Sequence, residues 1–134
     1  MYPCFYNQCP PPETQISTIV DNIKNNNLTI NTLWIVVDSS NWSYNTTINQ
    51  KLINTLVLSA QSLGQNVGIF TNIYGWQRIA YFKIFIPLRW DELNGIQNYA
   101  NFQEFGGWTK PSMHLYTFLI DRGCGTDIDI SWSY

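Results

Sequence analysis

Charge is scarce in this chain. Asp, Glu, Lys and Arg together make up 12% of 134 residues, with nine acids, seven bases and a net charge of −2. Seven bases spread along the sequence do not build the basic surface of a general nucleic-acid binder, so that class is excluded. Histidine occurs once, His114, and cysteine three times, at Cys4, Cys9 and Cys124. A zinc site takes four ligands, and three cysteines with one distant histidine match it poorly, so neither metal nor other cofactor is expected. No apolar run approaches the ~18 residues of a membrane-spanning helix. Met1-Tyr2-Pro3-Cys4 has neither the basic nor the apolar region of a signal peptide. Gly-x-Ser-x-Gly, Gly-x-Gly-x-x-Gly and Walker loops are all missing. A serine triad and phosphate-cradling chemistry therefore have no footing.

What the chain does have is apolar surface: 45% hydrophobic and 16% aromatic residues, six of them tryptophan. This is too apolar for disorder. At this length it makes one domain that can bury about two thirds of its unfolded surface. Cys4 and Cys9 flank a short loop before Pro10-Pro11-Pro12. Either a small-loop disulfide or two free thiols fits, and Cys124 is left odd. Sequons stand at Asn27, Asn41 and Asn45, a weak sign of secretion among fifteen asparagines.

The periodicity predicts a helix over Glu13–Asn25, with Ile16, Ile19, Val20 and Ile23 on one face. Leu33–Asp38 is a short run of β-formers, expected as a strand buried on both faces, as in a parallel sheet. A polar loop, Ser39–Thr47, leads to a second helix over Ile48–Leu63 with Leu52, Leu56, Ser59 and Leu63 as its stripe and Gly64 as its C-terminal cap. Asn66–Thr71 is a second buried strand. The alternation implies parallel βα units and an α/β fold. Beyond it, Tyr74-Gly75-Trp76 reads as loop, Trp76–Phe82 as a short helix, and Lys83–Trp90 as a strand that Pro87 places at an edge or end. Gly106-Gly107-Trp108 and Lys110-Pro111 are loop, and Met113–Phe118 and Ile128–Ile130 are short strands.

Asp38 closes the first strand, and in parallel α/β folds sites form at the C-terminal ends of strands. Partial desolvation there would raise its pKa and suit a general acid. The alternative is an ordinary turn cap over Ser39-Ser40. Asp127 and Asp129, two apart on a strand, share a face that points either into a cleft or to solvent. Asp91-Glu92 reads as the start of a surface helix and Asp121-Arg122 as an exposed turn. Trp42, Trp76 and Trp108 fall in loops near strand ends, where rings can stack on sugar faces or pack into the core; Trp34 reads as core.

Several stretches share one likeness. They are Pro3-Cys4 through Cys9 before a helix; Leu33-Trp34-Ile35-Val36-Val37-Asp38 with Trp42 after it; Gly68-Ile69-Phe70-Thr71 with Trp76; Ile86-Pro87-Leu88-Arg89-Trp90-Asp91; Phe105-Gly106-Gly107-Trp108-Thr109-Lys110-Pro111; and Cys124-Gly125-Thr126-Asp127-Ile128-Asp129. Together they resemble glycoside hydrolase family 25, the Chalaropsis-type lysozymes, and in particular its amoeba and nematode subgroup. The resemblance implies an incomplete TIM-like β/α barrel corresponding to the later two thirds of a family domain. It implies a secreted, lysosomal or phagosomal antibacterial enzyme of innate immunity that cleaves the β-1,4 bond of peptidoglycan. Its partner would be cell-wall peptidoglycan or a related polysaccharide, with no nucleic acid, membrane or specific protein partner.

The same resemblance implies four acidic positions. The first precedes the matched region, the second is Val36, the third, the acid/base Glu, is Asp38, and the fourth is Asp129. Arg89 stands where the family tends to have Trp. Trp42, Trp76 and Trp108 would bind substrate, Asp38 would act as general acid, and Asp129 would stabilise charge. With Val36 neutral and Asp38 one methylene short of Glu, the resemblance carries an expectation of impaired catalysis. A non-catalytic sugar binder or a gene fragment is the alternative.

Overall fold

The computed structural model describes residues 1–5, 8–38, 42–119 and 128–134. Among them run three helices and five strands, in the order α1 (Pro12–Asn25), β1 (Leu33–Val36), α2 (Thr46–Ser62), β2 (Val67–Thr71), α3 (Ile73–Ile79), β3 (Leu88–Asp91), β4 (Met113–Leu119) and β5 (Ile128–Trp132). The strands form one curled sheet in chain order, β1 to β5. The first four are mutually parallel and β5 returns antiparallel to β4. The α/β expectation holds, and the sheet has the outline of half a barrel. Cys124, Asp127, Asp121-Arg122, the Asn41 sequon and the Ser39-Ser40 turn lie outside the described residues.

Local sequence accounts for the element ends. Pro12 opens α1, where its missing N–H costs nothing, and Glu13 and Lys24 complement the helix dipole. Asn27, at φ 52°, adopts the left-handed conformation that ends α1. The Asn45 side chain caps α2 by accepting from the Thr47 and Ile48 amides at 3.0 and 3.3 Å. The buried face of α2 is Asn49, Ile53, Leu56, Val57 and Ala60, rotated from the expected Leu52/Leu56/Ser59/Leu63 stripe. Asn49 turns inward because its amide donates to the Ser43 and Ile79 carbonyls at 2.8 and 2.9 Å.

Strand alternation divides the sheet into two faces. Leu33, Ile35, Val37, Val67, Ile69, Leu88 and Trp90 pack with Ile16, Val20, Ile53, Leu56, Trp76 and Ile79 of the helices into the main core. Val36, Phe70 and Leu115, with half-buried Trp34 against them, form a small second cluster on the other face. At the open side of β1, Val36 donates to the Met1 carbonyl at 2.9 Å and the Met1 amino group donates to the Trp34 carbonyl.

Three expected elements differ. Tyr74, Gly75 and Trp76 belong to α3, not a loop, because Asn72 accepts from the Gly75 amide at 2.8 Å and starts the helix early. Residues 83–87 are not strand: Ile84 donates to Gly106 and Ile86 accepts from the Trp108 indole, so 84–86 is bound to the 105–108 turn, and only at Pro87, which accepts from Ile69, does the chain meet β2. Asp91-Glu92 starts no helix. Asp91 is the last residue of β3, and the Glu92 amide donates to the Leu115 carbonyl.

Candidate functional site

The parallel registers set the site's layers. Val36 is level with Phe70, Phe70 with Arg89, and Arg89 with Met113. One layer nearer the C-terminal strand ends, Asp91 is level with Leu115, and Leu115 with Ser131. Extending the β1–β2 and β2–β3 registers by two and one places puts Asp38, Asn72 and Asp91 on that same level. Pairing persists just past β1, since Val37 donates to the Phe70 carbonyl at 2.9 Å.

Arg89 and Asp91, two apart, share the inner face with Val36 and Phe70. The Arg89 guanidinium lies 4.8 Å over the Phe70 ring and donates to the Ser131 hydroxyl from Nε and Nη2 at 3.1 and 2.8 Å. The lower layer is therefore filled by apolar side chains and a restrained cation. Above it, Asn72 Nδ2 donates to Asp91 Oδ2 at 3.4 Å. Burial pushes the Asp91 carboxyl above its ordinary range. The Asn72 bond opposes the shift, the Glu92 and Asp129 charges add to it, and Arg89 counters it.

Asp38 is partly buried just beyond β1, and Asp129 is exposed on β5 opposite Phe118. In strand order they stand at the two ends, with Asp91 midway between them. Sequence reasoning missed Asp91 because Trp90-Asp91-Glu92 reads locally as a helix start. The available signal was its two-residue spacing from Arg89 at the end of a strand.

The tryptophans require a correction. Trp42 is 7% exposed and packs on Phe5 at 4.1 Å; Trp76 is 1% exposed and meets Trp108 edge-on at 4.8 Å. Their indoles are committed as well, Trp76 donating to Phe82 at 2.9 Å and Trp108 to Ile86 at 2.7 Å. All three belong to the helix-side core rather than to an open cleft. Trp76 and Trp108 border a groove of about 560 Å³ that shares no residue with the carboxylate layer. Phe70 and Trp34 stand on the carboxylate face, Trp34 packed against the smaller apolar cluster there. Cys4 and Cys9 are joined as a disulfide, Cα atoms 5.6 Å apart. The Gln15 side chain holds the loop, accepting from the Cys4 amide and donating to the Cys4 and Pro10 carbonyls. His114 is fully buried, stacked on Trp90, and faces the Asn98 and Glu92 carbonyls at 2.8 Å each, a structural clamp on the loop after β3. No helix among the described residues is long and apolar enough to cross a membrane.

Comparison with known proteins shows the family. The family model described as Lysozyme-like protein 1 matches residues 1–116. Lysozyme-like protein 5 of Caenorhabditis elegans is 29% identical over 98% of this chain and 63% of its own length. Two Dictyostelium discoideum proteins are similar: Probable GH family 25 lysozyme 4, 28% identical over 98% of this chain and 62% of its own, and Probable GH family 25 lysozyme 5, 32% identical over 96% and 61%. The chain spans a little over three fifths of the length of these curated relatives. No solved structure shows a significant match. The chain belongs to the lysozyme-like family, among relatives that carry the glycoside hydrolase family 25 name.

Proposed function

We propose that this chain is a peptidoglycan-directed member of the N-acetylmuramidase lineage whose inherited catalytic constellation is impaired. The observation that carries this reading is Val36. It faces the inner side of the sheet in contact with Phe70 and Leu115, where the family places a carboxylate. A glycosidase transition state needs both a proton donor and negative charge beside the developing oxocarbenium ion. Asp38 and Asp129 keep two of the acidic positions. Asp38 falls about 1 Å short of a Glu, a displacement that can cost about 10²-fold in rate. The partner is the glycan of bacterial cell walls, met in a secreted, lysosomal or phagosomal setting. The test is loss of turbidity in a cell-wall suspension beside a family member with all four acids. Lysis at least ~10²-fold slower supports impairment; equal lysis, abolished by Asp38→Ala, would overturn it. The same Val36 contact also fits a second reading, a non-catalytic glycan binder, which requires binding to insoluble peptidoglycan with no hydrolysis at all.

A further inference from the structure

We propose that the groove beside the end of α3 is a second glycan-binding site, separate from the inner face of the sheet, where a neutral β-linked polysaccharide strand lies on Tyr81 and Phe85. It goes beyond the hydrolytic reading above, because it needs none of the acids. The groove holds about 560 Å³, within the range of small-ligand sites. It lies where α3 ends and the chain turns toward β3. Because β2 and β3 are parallel, that is the opposite end of the strands from Asp91.

The backbone at Tyr81 carries the assignment. Its φ of 51° is left-handed. It closes α3 there, its amide donating to the Trp76 carbonyl at 2.9 Å. Glycine is the residue such a position favours, and a tyrosine in it is strained. The ring finds no shelter in return, since it is 73% exposed, and Phe85 is 84% exposed. Both border the same groove. Strain that packing does not repay points to a role in binding. Behind the two rings, Trp76 stacks on Phe82 at 5.1 Å and meets Trp108 edge-on, so core indoles make a fixed wall.

Polar groups select the ligand. Gln77, Lys83, Glu104 and Thr109 are exposed along the groove. None of the four makes a side-chain hydrogen bond or ion pair among the described residues. They offer both donors and acceptors, and the Lys83 and Glu104 charges cancel. A strongly charged ligand would meet a like charge, and an apolar protein face would leave these side chains unpaired. A pyranose strand fits both features: its C–H faces stack on the exposed rings, and its hydroxyls reach the polar side chains.

Chitohexaose, neutral and β-1,4-linked, is the probe. In calorimetric titration it should bind the native chain, and Phe85→Ala and Tyr81→Gly should each weaken binding by about tenfold or more. Tyr81→Gly should also hold or raise the melting temperature, because glycine suits the left-handed position, so its lost binding is not lost folding. Leu58→Ala, which trims an exposed apolar side chain on α2, should bind like the native chain. Carboxymethylated chitohexaose should bind less well than the neutral chain, and tighter binding would overturn the neutral class. Binding that both groove variants leave intact, or that Leu58→Ala weakens equally, would overturn the site. So would no binding by the native chain, and a native dimer that Phe85→Ala dissociates in sedimentation would then name a second copy as the occupant. Cell-wall lysis is read separately, so failure of this groove and failure of the hydrolytic reading are told apart.

Discussion

Asp91 is a partly buried carboxyl on the inner face of the sheet, and its titration can be read without any substrate. Its carboxyl holds a proton more tightly in the folded chain than in the unfolded one. The group's contribution is therefore full at pH below its ordinary range, and it is lost as pH rises through the raised folded value. Glu92, Asp129, Arg89 and Asn72 surround it, and Asn at 91 removes its titration. The melting temperature of Asp91→Asn, relative to the native chain, should rise steadily between about pH 4 and pH 7. A pH-independent difference would reject the raised value. The family pattern singles out Asp38 and Asp129 in the sequence; nothing in it singles out Asp91, whose surroundings depend on which strand lies beside it. Gly68 is another residue whose role only the neighbouring strands reveal. A Cβ there would overlap the Trp34 ring and come 2.8 Å from the Pro87 carbonyl, so β1, β2 and the approach to β3 close around a bare backbone. Gly68→Ala should cost about 1–3 kcal/mol, read from its urea midpoint.

At the scale of elements, the first half of the chain follows its periodicity, the departures fall between Tyr74 and Glu92, and the late strands at Met113–Leu119 and Ile128–Trp132 return to it. The continuous apolar runs of β1 and β2 and the long α2 signal carry their own evidence, since burial on both faces needs little beyond hydrophobic side chains. The 84–86 stretch carries the same kind of residues, yet its backbone groups bond to Gly106 and the Trp108 indole. A turn twenty residues away thus competed with the sheet and won, which no local window shows. Trp76 and Trp108 illustrate the companion limit, because an aromatic near a strand end looks alike whether it faces solvent or a helix. Trp76→Ala should destabilise the fold by about 3–5 kcal/mol, as expected for an emptied core site, where a surface sugar platform would leave stability nearly unchanged. Asn45→Ala should cost about 1 kcal/mol by uncapping α2, with the helix signal in circular dichroism otherwise retained before melting.

At the scale of the whole molecule, the proposed impairment concerns how several acids act together on one curled five-stranded sheet. Its curvature gathers strand ends from β1 to β5 around one inner face, so the effect of each acid depends on the others. Asp38→Glu alone restores reach at one position but leaves Val36 neutral beside Phe70. It should therefore not bring lysis to the level of a family member with all four acids. Val36→Asp alone would place a carboxylate among apolar neighbours, on the level of Arg89 but two strands away, where burial disfavours its charge. The combined Val36→Asp and Asp38→Glu change, tested in a chain that carries the upstream segment of a four-acid relative, presents charge, reach and all four implied acids together. Followed by turbidity of a cell-wall suspension, the single Asp38→Glu variant should stay within about tenfold of the native chain, while the graft should gain about 10²-fold or more. Rescue by the single change would mean that reach was the whole defect. A silent graft that still binds peptidoglycan would mean that the inner face around Arg89, tied to Phe70 and Ser131, has been rebuilt beyond the inherited chemistry.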